Sequence, residues 1–192
     1  MTEVEQHPFS PFLPQKAKLL ILGSFPPPAK RWSMNFYYPN LQNDFWRICG
    51  LIFFNNKDYF LMKERKAFNL EAITLFLEEK GIALYDTASA VRRLKDNASD
   101  KFLEVVTPTD VTALLEKIPL CRTITTTGEK ATELLLPQFG ISKAPQVGSF
   151  IEFIHKGEPF RLYRMPSSSR AYPLPISRKA DQYRILFDDI GL

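Results

Sequence analysis

Histidine and cysteine are scarce in this chain of 192 residues, with two of each: His7, His155, Cys49 and Cys121. An all-cysteine iron–sulfur cluster needs about four thiolates and is excluded. The two cysteines and two histidines also lack the close ligand pairs of a zinc site, so neither of these metal centres is expected. Cys49 and Cys121 lie far apart in apolar surroundings and read as buried free thiols. Glycine is sparse too, and no GxGxxG or GxxxxGK[ST] loop is present. Nucleotide hydrolysis and dinucleotide chemistry lose their usual phosphate cradle. The G-x-S-x-G elbow of a serine hydrolase is missing. No apolar run approaches the ~18 residues of a membrane span. Met1-Thr2-Glu3-Val4-Glu5 has neither the basic nor the apolar region of a signal peptide. The expectation is a cytoplasmic protein with no membrane contact.

What is there is ordinary for a globular domain: 45% hydrophobic and 24% charged residues. The length suits a single domain over 1–192 that buries a full core, with 1–16 as an N-terminal extension. The formal charge is +4. Arg92-Arg93, Arg161, Arg164, Arg170, Arg178-Lys179 and Arg184 weight the second half, while acids gather at Glu78-Glu79 and Asp188-Asp189. Two readings stay open, a basic face over a nucleic-acid cleft and a scatter of solvated cations.

Ala17–Leu22 is a short continuous apolar run ending at Gly23, the pattern of a buried central strand. Leu41, Phe45, Ile48 and Ile52 keep helical spacing to Phe54, with Asn40 as the expected N-cap. Asn69 caps a second helix that Gly81 stops. Ile82–Tyr85 and Arg122–Thr126 read as strands, Asp110–Lys117, Glu129–Leu136 and Ile176–Phe187 as helices, and 149–163 as a hairpin. Strands alternating with helices predict an α/β fold, a three-layer α/β/α sandwich on a central, mainly parallel four-stranded sheet.

Two strand ends draw the eye. Leu19–Leu22 breaks at Gly23-Ser24-Phe25-Pro26, and a later strand breaks at Arg164-Met165-Pro166-Ser167-Ser168-Ser169-Arg170. In open parallel sheets ligands bind outside such ends. Between them, Trp32, Tyr37 and Tyr38 read as exposed loop aromatics able to stack bases at ~1–3 kcal/mol each. Asn43 lies three residues beyond Asn40, so one can cap a helix while the other faces the cleft. Aromatic faces, amides, hydroxyls and a guanidinium suit a flat heterocycle on a phosphodiester chain.

The combination of Gly23-Ser24-Phe25-Pro26, Tyr37-Tyr38, Asn43-Asp44-Phe45-Trp46 and Met165-Pro166-Ser167-Ser168-Ser169 resembles the uracil-DNA glycosylase superfamily. It is most similar to the hypoxanthine-DNA glycosylase and mismatch-type branch. Gly81–Asp86 and Thr126–Ala131 fall where that branch has comparable segments, and the resemblance runs from Lys18 to Ile185. It implies a cofactor-free, monofunctional enzyme of base excision repair, a monomer acting on double-stranded DNA that carries a deaminated base, uracil or hypoxanthine. Such an enzyme extrudes its nucleotide and cleaves the N-glycosidic bond.

Many members carry Asp or Asn before the proline of the first motif, where this chain has Phe25. The resemblance therefore places the catalytic amide at Asn43, orienting water or bonding the base. Phe25 becomes the residue stacking under the base, read also by N–H groups of Ser24 and Phe25, with Tyr37, Tyr38 and Asp86 as further base contacts. Pro166, Ser167, Ser168, Ser169 and Arg170 form the DNA-binding turn, with Arg170 or Tyr172 plugging the vacated stack. Met165 and Thr127 depart from the His or Asn and the Asn common at their positions. Phe25 and Met165, standing at commonly active positions, motivate one alternative, a catalytically silent nucleic-acid-binding module; a small-molecule hydrolase using a serine is a more remote one.

Overall fold

The computed structural model describes residues 3–95 and 99–192. Along the chain come β1 (Val4–Gln6), β2 (Leu19–Gly23), α1 (Phe45–Phe54), β3 (Leu61–Met62), β4 (Ala67–Phe68), α2 (Leu70–Lys80), β5 (Ile82–Asp86), β6 (Ala88–Arg93), β7 (Leu103–Pro108) and α3 (Val111–Lys117). They are followed by β8 (Thr123–Thr127), α4 (Glu129–Leu135), β9 (Ser149–His155), β10 (Glu158–Met165) and α5 (Ile176–Asp189).

The central sheet has the order β5-β2-β8-β10-β9. The first four strands run parallel and β9 returns antiparallel at the edge. The expected four-stranded sheet is thus corrected to five, because β9 pairs with β10 along its whole length, from Ser149 to His155. Every residue of β2 and β5 is buried, as continuous apolar strands inside a parallel sheet should be. Helices α1 and α5 pack against each other, α5 also touches β10, and α2 and α4 contact β5 and β8.

Caps set several boundaries where the sequence places them. Asn69 Oδ1 accepts the Ala72 N–H at 3.1 Å, and Gly81 ends α2 in the left-handed region at φ 65°. Asp110 Oδ1 does the same for Ala113 at 3.0 Å. Helix α1 differs: it begins at Phe45, not Leu41. Asn40 Oδ1 instead accepts from Gln42 N, a local turn that keeps Leu41–Asp44 out of the helix.

The sequence reading missed a second sheet, β1-β6-β7, antiparallel throughout. Its first strand lies in the segment expected as an extension. Val4–Gln6 pairs with Arg92–Ala90, and Phe12 bridges Leu84, so the N-terminal residues are knitted into the body of the protein. No helix among the described residues is long and apolar enough to cross a membrane. Cys49 and Cys121 are buried and unpaired, and burial pushes the Cys121 thiol up to about 12.

Parallel register brings four carboxyl ends to one edge. Gly23 pairs with Asp86, Leu22 with Thr126, and Met165 with Thr127. The chain leaves the sheet at Ser24, Thr87, Gly128 and Pro166 around a single opening.

Candidate active site

A cleft of about 670 Å³ sits over that edge. Gly23, Ser24, Phe25, Tyr38, Asn43, Asp86 and Thr127 line it, together with Ser167–Arg170 from the second motif. The two motifs, far apart in sequence, are joined directly. Asn43 and Ser169 form an antiparallel bridge, Asp44 N–H donates to Ser168 O at 2.8 Å, and Arg170 N–H donates to Gln42 O at 3.2 Å. Arg170 Nε also donates to Asp44 Oδ1 at 2.9 Å. Asp44 is 7% exposed and takes a second guanidinium, Arg47, at 3.7 Å.

Asn43 is half-buried at the start of α1, and its Oδ1 accepts the Phe45 N–H at 2.9 Å. That bond fixes the side chain at the cleft wall, with the Nδ2 donor as the part left for a ligand. Tyr38 lies on the floor. Its ring stacks on Phe45 with centroids 4.1 Å apart, and its hydroxyl is 2.9 Å from Thr127 Oγ1. Burial and the nearby Asp86 charge raise the Tyr38 pKa far above the ordinary phenol range, so the hydroxyl keeps its proton. Phe25 is half-buried beside the pair, edge-on to His7 at 5.2 Å.

Two expected residues lie outside the cleft lining. Tyr37, read as an exposed stacking residue, is 2% exposed, and its hydroxyl donates to Ser10 O at 2.7 Å. Its carbonyl accepts the Trp46 indole N–H at 3.0 Å, so the side chain is a piece of core holding the first motif to α1. Pro166 is buried, and its carbonyl accepts the Tyr183 hydroxyl at 2.9 Å. Trp32 is tied down as well, donating to Pro27 O at 2.7 Å.

The turn is less free than a run of serines suggests. Ser168 is 2% exposed; Ser167 Oγ accepts Ser169 N–H, and Ser169 Oγ accepts Ala171 N–H. Beneath them Lys179, only 1% exposed, donates Nζ to Ser169 O at 2.7 Å. Burial lowers its pKa while Asp44 opposes that shift. Of the two open readings of the basic residues, the ion pairs favour the scatter of cations. Arg92, Arg93 and Arg161 pair with Glu104, Glu5 and Glu152, and Lys179 lies inside. The cations that line the cleft are Arg31 and Arg170.

Two residues that sequence reasoning did not assign to the site, His7 and Asp100, also meet here. His7 Nε2 lies 2.9 Å from Asp86 Oδ2, with side chains 2% and 8% exposed. Asp100 lines the cleft and accepts the Ser24 hydroxyl at 2.7 Å. Burial, reinforced by Asp86, raises the Asp100 pKa. Contacts spanning 76 and 79 residues leave no periodic signal in a sequence. Among the described residues no cluster of three or more His, Cys, Asp or Glu is arranged to hold a metal. None of the hydrogen bonds among them joins a serine hydroxyl to a histidine, and His155 sits instead between Phe139 and Phe160.

The sequence matches no protein-family model and no curated protein. Among solved structures it is similar to a solution NMR structure from Methanosarcina acetivorans, named as a candidate uracil DNA glycosylase. The two are 22% identical, with a TM-score of 0.65, over 99% of this chain and 100% of that one. The likeness is one of fold.

Proposed function

We propose that this protein is a monofunctional DNA glycosylase that hydrolyses the N-glycosidic bond of a flipped deaminated base, uracil or hypoxanthine, in double-stranded DNA. The proposal includes a monomeric, cytoplasmic enzyme of base excision repair on a three-layer α/β/α scaffold of the hypoxanthine-DNA glycosylase type, working without a cofactor. The observation that carries it is the Asn43–Ser169 bridge, which puts the amide of one motif and the serine turn of the other on one cleft.

In this reading the extruded base lies over Phe25 and Tyr38, and the turn at Ser167–Arg170 meets the backbone phosphates. The C1′–N bond lengthens, leaving an oxocarbenium-like sugar and a base anion. Water oxygen bonds C1′, and its proton ends on the departing base. Asn43 Nδ2 is a fixed donor for the water or for the developing negative charge, where preorganised dipoles have their largest effect.

The test is base release from labelled duplexes bearing one uracil or one hypoxanthine, with alkali revealing the abasic sites. Asn43→Ala is expected to lower release by about 100-fold or more while duplex binding persists. Asn43→Asp keeps an acceptor for the Phe45 N–H while exchanging the amide donor for a carboxylate, so a change in release at unchanged stability separates chemistry from helix capping. Equal release by both variants and the parent protein would refute the assignment. A second reading, the catalytically silent module, is favoured by the Asn43 oxygen already being engaged. It predicts salt-sensitive binding without release by the unmodified protein.

A further inference from the structure

Hydrolysis in the cleft needs a group to take the proton of the attacking water, and the residues of the two motifs supply none. Phe25 brings only a ring to the cleft, and Met165 is buried at 0% exposure. Asn43 offers an amide, which is not basic at neutral pH. Among the described residues that line the cleft, two carboxylates remain, Asp86 and Asp100.

The two differ in what already engages them. Asp86 meets His7 Nε2 at 2.9 Å, and its side chain is 8% exposed. Asp100 is half-buried at the start of a short turn, Asp100–Phe102, that leads into β7. Its Oδ1 accepts the Ser24 hydroxyl at 2.7 Å, and no hydrogen bond among the described residues reaches Oδ2. Lys130 and Arg93 act on it at longer range. A hydroxyl donor orients a carboxylate without neutralising it, as a contacting cation would. Ser24 precedes Phe25 in the chain, so this bond holds a carboxylate from a distant segment against the first motif.

We infer that Asp100 is a catalytic residue, the general base whose Oδ2 takes the proton of the water that attacks C1′. This rests on the glycosylase reading above and adds a residue to its chemistry. The water oxygen bonds C1′ as the C1′–N bond breaks, and the electron pair of that bond leaves on the base. The water proton passes to Oδ2, and the carboxyl then gives it up through solvent to the base anion. The products are the free base and an abasic sugar bearing a 1′-hydroxyl. This division leaves Asn43 Nδ2 to the developing negative charge.

The surroundings of Asp100 suit the task. An ordinary aspartate, at about 3.9, is a weak base. Burial, with the Asp86 charge, pushes Asp100 upward, while the Ser24 hydroxyl, Lys130 and Arg93 restrain the shift. A base gains power as its pKa climbs toward the working pH, provided that it stays ionised.

The experiment follows single-turnover base release from uracil and hypoxanthine duplexes across the acid and neutral range. Asp100→Asn keeps an acceptor for Ser24 and is expected to lower release by about 100-fold or more. Its affinity for a duplex carrying one 2′-fluoro nucleotide, which resists hydrolysis, should equal the parent's, and thermal unfolding checks the fold. Release by the parent falls as pH drops and Asp100 takes up a proton; Asp100→Asn lacks this acid limb. Asp86 and its partner His7 titrate in both proteins, and Lys130 and Arg93 remain cationic throughout, so a limb lost with the substitution belongs to Asp100. Ser24→Ala removes the hydroxyl that lowers the Asp100 pKa, and the limb moves to higher pH, which a scaffolding role would not produce.

Release by Asp100→Asn equal to the parent's, or with the acid limb intact, overturns the inference and leaves the glycosylase standing. A limb unmoved in Ser24→Ala overturns it independently. No release by the parent protein defeats the glycosylase reading itself, and this role falls with it.

Discussion

The floor and the wall of the cleft are built on different principles. The wall is a covalently local turn, Ser167–Arg170, stitched to Gln42–Asp44 by backbone hydrogen bonds and anchored from below by Lys179 and Asp44. The floor is a set of side chains from six separate segments: His7, Ser24, Tyr38, Asp86, Asp100 and Thr127. Backbone stitching tolerates a change of side chain, because the bridging groups are common to every residue. A side-chain network does not, since each member satisfies a particular partner in a low-dielectric site. The wall should therefore fail through stability and the floor through chemistry.

Asp44→Ala is the largest perturbation this contrast foresees. The carboxylate is 7% exposed and compensates Arg170, Arg47 and, at longer range, buried Lys179. Breaking a buried pair from one side leaves uncompensated charge, at a cost of about 3 kcal/mol. Part of Arg170 is solvated, with its side chain 46% exposed, which places the expectation at the low end for such pairs. Urea unfolding should register the loss. A wall held only by its backbone bridges would lose less than about 1 kcal/mol, the usual worth of an exposed ion pair.

Gly23→Ala aims at the floor. Its Cβ would arrive 2.5 Å from Asp86 Oδ1, so the carboxylate must leave its place or the strand end must shift. Overpacking of this kind costs about 1–3 kcal/mol, less than the wall variant. Base release should nonetheless fall by more than the stability loss explains, because the displaced carboxylate is an expected base contact. Full activity in a destabilised Gly23→Ala protein would separate Oδ1 from recognition.

The same division explains what the sequence disclosed. Strand β2 was legible because its burial on both faces leaves an unbroken apolar run, and α2 because Asn69 and Gly81 punctuate it within twelve residues. Asn43, Tyr38, Phe25 and the serine turn were legible because they cluster within short motifs beside strand ends. His7 was not: nothing local distinguishes a histidine before Pro8 from any surface residue until β1 pairs with β6 and carries it to Asp86. The antiparallel sheet β1-β6-β7 escaped for a related reason, since its β1–β6 pairing joins segments about 85 residues apart and its outer strand β7 is largely exposed. Tyr37 misled because its polar neighbours suggest exposure, whereas its side chain turns inward and only its hydroxyl finds a polar partner, at Ser10.

Asp100 gives the finest test of the floor, and its signature is a sign rather than a size. Burial raises its carboxyl pKa, with Asp86 adding to the shift and the Ser24 hydroxyl, Lys130 and Arg93 opposing it. A carboxyl whose folded pKa lies above the unfolded value, ordinarily about 3.9, favours the fold most below that unfolded value. This contribution is lost as pH rises through the folded pKa, so the ionised group weighs against folding at neutral pH. Asp100→Asn keeps an acceptor for Ser24 and removes the charge. The variant should be slightly more stable than the parent at pH 7, and the advantage should fade as pH falls into the ordinary carboxylate range. Melting temperatures across that range decide it. A parent protein that is the more stable of the two at neutral pH would mean that the Asp100 charge is compensated by Lys130 and Arg93 beyond its desolvation, and the floor would then be held together by the same kind of ion pairing as the wall.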